Sequence, residues 1–208
     1  TKIRFGTKSG PYRYVLHFEE AEIIDCDKEI SGRVEIPSEF DGYKVGCIGK
    51  EAFCNCRNIE SLVIPHSVKR IDDNAFDGCE KLIKVTVLYG TEEIGDEAFS
   101  GCENLMSIDL PESIKQIGRG AFEGCSALTM VSLPSGISNI RRNLFRDCRN
   151  LTRVDIPNGV RCIDDAAFFG CGNLVRADIP DSVDMIEQSA FERCSSLREI
   201  IVPDSVRS

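Results

Sequence analysis

Seven cysteines recur at one 23-residue interval: Cys56, Cys79, Cys102, Cys125, Cys148, Cys171 and Cys194. A phenylalanine stands three positions before each: Phe53, Phe76, Phe99, Phe122, Phe145, Phe168 and Phe191. No single globular core generates such regularity. It marks a solenoid, in which one short unit stacks on copies of itself and equivalent positions of successive copies touch. The interval therefore restricts the fold before any other feature is considered.

The copies share a pattern: Ile-x3-Ala-Phe-x2-Cys-x2-Leu-x2-apolar-x-apolar-Pro. Around Ser107, Ile108, Asp109 and Leu110 polar and apolar residues alternate, the period-2 signature of a half-buried strand with Ile108 and Leu110 inward. Pro111 lacks an amide hydrogen and suits the strand's end. Six of seven copies keep this proline (Pro65, Pro111, Pro134, Pro157, Pro180, Pro203), and Leu88 replaces it once. Ile114 and Ile117 predict a second inward edge. The segment from Gly120 through Ala121, Phe122, Glu123 and Gly124 to Cys125 reads as a short helical turn. At about 4.8 Å per coil, seven to eight coils make a rod roughly 35 Å long.

Residues 1–50 depart from the pattern. Residues 12–18 and 21–26 read as strands of a small antiparallel unit, so residues 1–33 are expected to cap the first core layer and residues 34–208 to form the solenoid. Residues 38–46 look like a five-residue expansion of the first coil. The chain starts at Thr1 without a methionine and stops at Ser208 within a repeat. Both ends are therefore expected to be cuts in a longer protein.

The 208-residue chain carries a net charge of −9, which argues against nucleic acid or an anionic membrane as the main partner. No apolar run approaches the ~20 residues of a membrane-spanning helix. The seven repeat cysteines are expected to face inward as reduced apolar fillers, because stacked thiols have parallel Cβ vectors whereas a disulfide needs converging ones. Cys47 and Cys162 share a column on the order of 24 Å apart. Cys54 and Cys56 form C-x-C with His66 further on, but Cys56 is already a core position, and Cys26 has no evident partner. Eleven thiols without a pairing scheme fit a reducing habitat.

No phosphate-cradling glycine loop, zinc-protease helix or serine elbow is present, so neither cofactor, metal nor catalytic residues are expected. The adjacent carboxylates Asp72 with Asp73 and Asp164 with Asp165 recur at a turn position and read as solvated surface. Residues 139–161 hold six arginines against two aspartates. Either they form an anion-binding patch, or they pair between coils: Arg141 with Asp164, Arg142 with Asp165, Arg146 with Glu123. Arg149 and Arg153 lack opposite charges in their columns. Asn150-Leu151-Thr152 matches a glycosylation sequon, but Leu151 belongs to the core.

The motif carried by Ala121, Phe122, Cys125, Leu128, Val131, Leu133 and Pro134, with IPSEFDGYKV at residues 36–45, resembles the BspA-like leucine-rich repeats. The resemblance covers residues 34–208. It implies a right-handed coil with a parallel β-sheet on the concave side and short strands and helical turns elsewhere. It also implies surface or secreted proteins of host-associated bacteria and some protozoa, several of them adhesins, which bind proteins without catalytic residues. The expected role is a non-catalytic protein-interaction module, extracellular or at the cell surface, whose partner is a host matrix protein or receptor. The alternative is a spacer that presents another domain; carbohydrate binding is weakened by the absence of tryptophan. The expected binding positions are Lys84, Thr86, Leu88, Tyr89, Met106, Ser107, Asp109, Met130, Ser132, Arg153, Asp155, Arg176 and Asp178. Ile83, Met106 and Met130 are expected to form an apolar patch near Leu88 and Tyr89. A homo-oligomer is conceivable through an uncapped last coil.

Overall fold

The computed structural model describes residues 6–207, so residues 1–5 of the expected cap and residue 208 lie outside the described residues. β1 (Thr7–Ser9), β2 (Tyr12–His17) and β3 (Glu20–Cys26) form an antiparallel meander. β4 (Ser31–Glu35) follows, then β5 (Glu39–Phe40) and β6 (Tyr43–Ile48). The residues expected as a simple expansion form a hairpin, with Phe40 paired to Tyr43 across Asp41 and Gly42. Both turn residues have positive φ (51° and 82°), the requirement of a two-residue hairpin and the reason for Asp-Gly there.

From β7 (Asn58–Ile64) onward, a sheet strand alternates with a two-residue strand. The succession is β8 (Arg70–Ile71), β9 (Lys84–Val87), β10 (Glu93–Ile94), β11 (Ser107–Asp109), β12 (Gln116–Ile117), β13 (Met130–Ser132) and β14 (Asn139–Ile140). β15 (Arg153–Asp155), β16 (Cys162–Ile163), β17 (Arg176–Asp178), β18 (Met185–Ile186) and β19 (Glu199–Ile201) complete it. All pairing here is parallel and one repeat out of phase: Ser61 opposes Lys84, Lys84 opposes Ser107, Met130 opposes Arg153, and Arg176 opposes Glu199. The short strands likewise align Ile48, Ile71, Ile94 and Ile117. β3 joins this second sheet in parallel to β6, so the N-terminal meander, whose β2–β3 pair is a hairpin, continues the sheet rather than standing apart as a lid.

The core is the predicted set of columns. Phe53, Phe76, Phe99, Phe122, Phe145 and Phe168 are at most 1% exposed. Together with Phe191 their rings stack at centroid distances of 4.9–5.9 Å and interplanar angles of 5–21°. Each ring contributes burial worth ~2–3 kcal/mol and about 0.5–1.5 kcal/mol from stacking. The thiols behind them are free and point inward. From Cys79 to Cys194, each Sγ–H donates to the carbonyl of the phenylalanine in the preceding coil at 3.1–3.3 Å.

The expected helical turns are not formed: the described residues contain no helix. The Ala-Phe-x2-Cys segments are hydrogen-bonded turns whose amides reach the following coil. Phe53 N–H donates to Ala75 O at 2.7 Å, Asn55 N–H to Asp77 O at 2.7 Å, and Phe76 N–H to Ala98 O at 2.8 Å. Two positions per segment have left-handed φ, which ends helical winding at once. One column runs through Glu51, Asn74, Glu97, Gly120, Asn143, Ala166 and Ser189 at 55–59°. The other runs through Asn55, Gly78, Gly101, Gly124, Asp147, Gly170 and Arg193 at 57–74°.

Two stability outcomes follow. Phe122→Ala, in the middle of the ring ladder, is expected to cost about 3–5 kcal/mol in denaturant unfolding. Ala166→Gly, which relieves a left-handed alanine, should gain ~0.5–1 kcal/mol, whereas Ala167→Gly beside it should lose a similar amount. Equal signs for the two alanine variants would contradict the backbone assignment.

Candidate functional site

The exposed face of the longer strands gathers the positions expected to bind. Each of these strands buries a central residue (Val85, Ile108, Val131, Val154, Ala177) and turns its neighbours outward. Lys84, Asp109, Met130, Ser132, Arg153, Asp155, Arg176 and Asp178 are exposed, while Thr86 and Ser107 are half-buried. Pairing is continuous through β4, β7, β9 and β11, then within β13–β15 and β17–β19, so the face is laid out in three blocks.

The charges on this face are largely paired with each other. Lys84 Nζ lies 3.3 Å from Asp109, which also accepts from the Thr86 hydroxyl at 3.3 Å. Arg153 Nε donates to Asp155 at 2.7 Å, and Arg176 makes the same pair with Asp178, as does Arg33 with Glu35. Arg153 has no opposite charge in its 23-residue column, where Met130 and Arg176 are its neighbours. Its partner is two positions along its own strand, on the same face. Such exposed pairs are worth about 0–1 kcal/mol each, so their charges stay available to a partner.

Of the inter-coil arginine pairs, Arg142–Asp165 (3.4 Å) and Arg146–Glu123 (3.6 Å) form. Arg141 does not pair with Asp164; it lines a polar cavity with Asp73, Asp96 and Arg119. Arg146 and Arg193 both lie over the Phe169 ring, at 4.6 and 4.9 Å, two cation–π contacts that the repeat columns do not indicate.

The expected apolar patch divides in two. Ile83 (45% exposed) and Met106 (55%) line one groove of about 480 Å³ with Ala127, Thr129 and Asn150. Met130 does not line it: the repeat partner of Met106 is Thr129, so Met130 stands one column over. Leu88 and Tyr89 lie outside it too, at the coil without proline. There Leu88 N–H donates to Ile64 O at 3.0 Å, a bond that proline could not make.

The paired carboxylates have structural employment. Asp73 accepts the Asp96 N–H at 2.8 Å, Asp96 accepts the Arg119 N–H at 2.7 Å, and Asp72 is held by Arg70. Two clusters carry metal-ligating atoms within 4.8 Å of one another: Glu22, Cys47 and Asp72, and Cys162, Asp164 and Glu187. The Arg70 guanidinium already neutralises Asp72 in the first, and Glu187 accepts the Asp165 N–H at 3.0 Å in the second. Burial and neighbouring carboxylates push the Cys47 and Cys162 thiols up to about 12, so they stay protonated. The C-x-C of Cys54 and Cys56 does not present two ligands, because Cys56 is wholly buried and touches Cys26.

Residues 46–171 and 121–208 match the BspA type leucine rich repeat region, in six copies. The chain belongs to the BspA-type leucine-rich repeat family. No curated protein matches it. Among solved structures it is similar to a leucine rich cell surface protein of Faecalibacterium prausnitzii A2-165, with 30% identity, TM-score 0.87, and 96% of this chain and 55% of that one covered. It is also similar to a T. pallidum leucine rich repeat protein, with 33% identity, TM-score 0.86, and 93% and 91% covered. A Bacteroides ovatus leucine-rich repeat protein gives 29% identity, TM-score 0.83, and 99% and 54% covered. The chain thus spans about half the length of the first and third of these repeat proteins. Among its described residues no helix is long and apolar enough to cross a membrane.

The raised thiols make a pH prediction. At pH 8 the thiolate fraction of Cys47 or Cys162 is roughly one ten-thousandth, against about a quarter for an ordinary cysteine. Alkylation of either by iodoacetamide should be at least about a hundredfold slower in the folded than in the unfolded chain. Its rate should climb about tenfold per pH unit toward 12, followed by mass spectrometry of quenched samples.

Proposed function

We propose that this chain is a protein-interaction module without catalysis, displayed at a cell surface or secreted, that binds a host or neighbouring-cell protein in the manner of an adhesin. The observation that carries the proposal is the exposed strand face, where equivalent side chains of successive coils are held in register over an ordered interior. Such a face offers a partner shape and charge over several coils, at no cost of ordering. The contact surface comprises Lys84, Thr86, Ser107, Asp109, Met130, Ser132, Arg153, Asp155, Arg176 and Asp178, with Met106, Leu88 and Tyr89 as apolar points at its margin. Exposed methionine and aromatic side chains adapt readily to a partner. The family, and the cell-surface description of the F. prausnitzii relative, support the location. The N-terminal hairpin serves as the cap of the first coil in this reading, with residues 1–33 before a solenoid of residues 34–208.

Binding of the isolated chain to host extracellular-matrix proteins, followed by pull-down and surface plasmon resonance, tests the proposal. Met130→Asp combined with Arg153→Glu alters directly opposed positions on the face and should lower affinity by about tenfold or more while leaving stability within ~1 kcal/mol. Unchanged binding in the double variant moves the site off this face. Absence of binding to any matrix protein favours a spacer that presents another domain.

A further inference from the structure

The ladder of thiols has an irregular first rung. Each cysteine from Cys79 to Cys194 gives its Sγ–H to a phenylalanine carbonyl of the coil before. Below Cys56 there is no such coil; the N-terminal hairpin takes its place, and the last residue of β3 supplies a second sulfur instead of a carbonyl. Cys26 Sγ and Cys56 Sγ lie 2.9 Å apart, with both residues buried.

The surroundings suit chemistry at this pair. A small cavity of about 120 Å³ opens on Cys26, walled by Tyr12 and Asp25 and carrying Lys8 and Arg13. Cys26 is 5% exposed whereas Cys56 is 0%, so a small reagent arrives at Cys26 first. The hydrogen bond from Cys26 draws the Cys56 thiol below its ordinary value against the opposing effect of burial, and the Lys28 ammonium adds to this. The same hydrogen bond, followed by burial, pushes Cys26 up.

We infer that Cys26 and Cys56 are a disulfide-forming pair, a covalent modification site that ties the N-terminal hairpin to the first coil by exchange with a small-molecule disulfide. Cys26, the sulfur that the cavity reaches, gives up its proton to solvent and bonds to one sulfur of the small disulfide RSSR as its S–S bond breaks and RS⁻ leaves; because the Cys26 thiol is pushed up, this first step limits the rate and quickens as pH rises. Cys56 then gives up its proton, attacks the Cys26 sulfur of the mixed disulfide and expels the second RS⁻. One small disulfide is reduced to two thiols, and the two protein thiols are oxidised to one protein disulfide. The second step is intramolecular between sulfurs already in contact, so the mixed disulfide does not accumulate. Stacked ladder thiols do not compete, since their Cβ vectors run parallel. The bond closes the chain between Cys26 and Cys56 and constrains the unfolded state over that loop.

The test treats the full chain with oxidised glutathione under native conditions, blocks remaining thiols and maps disulfides by mass spectrometry without reduction. The expected result is a fall of two in the eleven titratable thiols, one cross-linked peptide joining Cys26 to Cys56, and a Tm rise on the order of 5–10 °C reversed by dithiothreitol. Cys26→Ser should abolish cross-link and Tm rise together. Cys54→Ser, which removes the more exposed thiol two positions from Cys56, should retain both, and it keeps the test decisive if Cys26→Ser folds poorly. Eleven thiols surviving the oxidant, a lasting glutathione adduct on Cys26, or a cross-link to Cys54 or Cys79 would each overturn the inference.

Discussion

Setting each coil one repeat above the last leaves many turn amides one acceptor, the carbonyl of the following coil. Phe53, Asn55, Phe76 and Gly78 all donate that way, and the phenylalanine rings stack along the same axis. The thiols complete the arrangement from behind by donating to phenylalanine carbonyls of the previous coil. A one-residue slip would break all three sets at once and bring outward strand residues such as Arg153 and Asp155 to the interior. Register is therefore enforced by backbone, aromatic and sulfur contacts together, and the exposed columns inherit that precision without contributing much to it.

The inner columns were readable from the chain because apolar residues at a constant interval have one physical explanation. Phe122, Cys125, Leu128 and Val131 are buried as the spacing requires. The helical reading of the Ala-Phe-x2-Cys segment failed on a signal that was present but diluted. Gly78, Gly101, Gly124 and Gly170 mark a left-handed position, yet Arg193 and Asp147 occupy the same column. In the other column, Glu51, Ala166 and Ser189 hide the requirement, since the fold imposes a conformation that these residues alone would not choose.

The candidate site was legible in outline and less so in detail. Alternation within Lys84–Val87 and its counterparts gave the outward positions. Periodicity between coils could not report Arg153–Asp155, which pair along a strand, or the contacts of Arg146 and Arg193 with the Phe169 ring. It was silent on Cys26 for another reason: the N-terminal hairpin has no counterpart elsewhere, so no column points from Cys26 to Cys56. Contacts across the junction between a repeat and its irregular neighbour have to be seen in three dimensions.

The interior of this chain is nearly the same in every coil, whereas the outward letters differ from Lys84 to Ser107 to Met130 to Arg153. Deleting or duplicating one whole repeat unit would leave ring stacked on ring and thiol beneath carbonyl. Outside, it would slide one half of the pattern past the other by a single rung, like a vernier scale. New combinations of surface letters are thus accessible through changes in copy number alone, with the inner scaffold indifferent to which combination it carries.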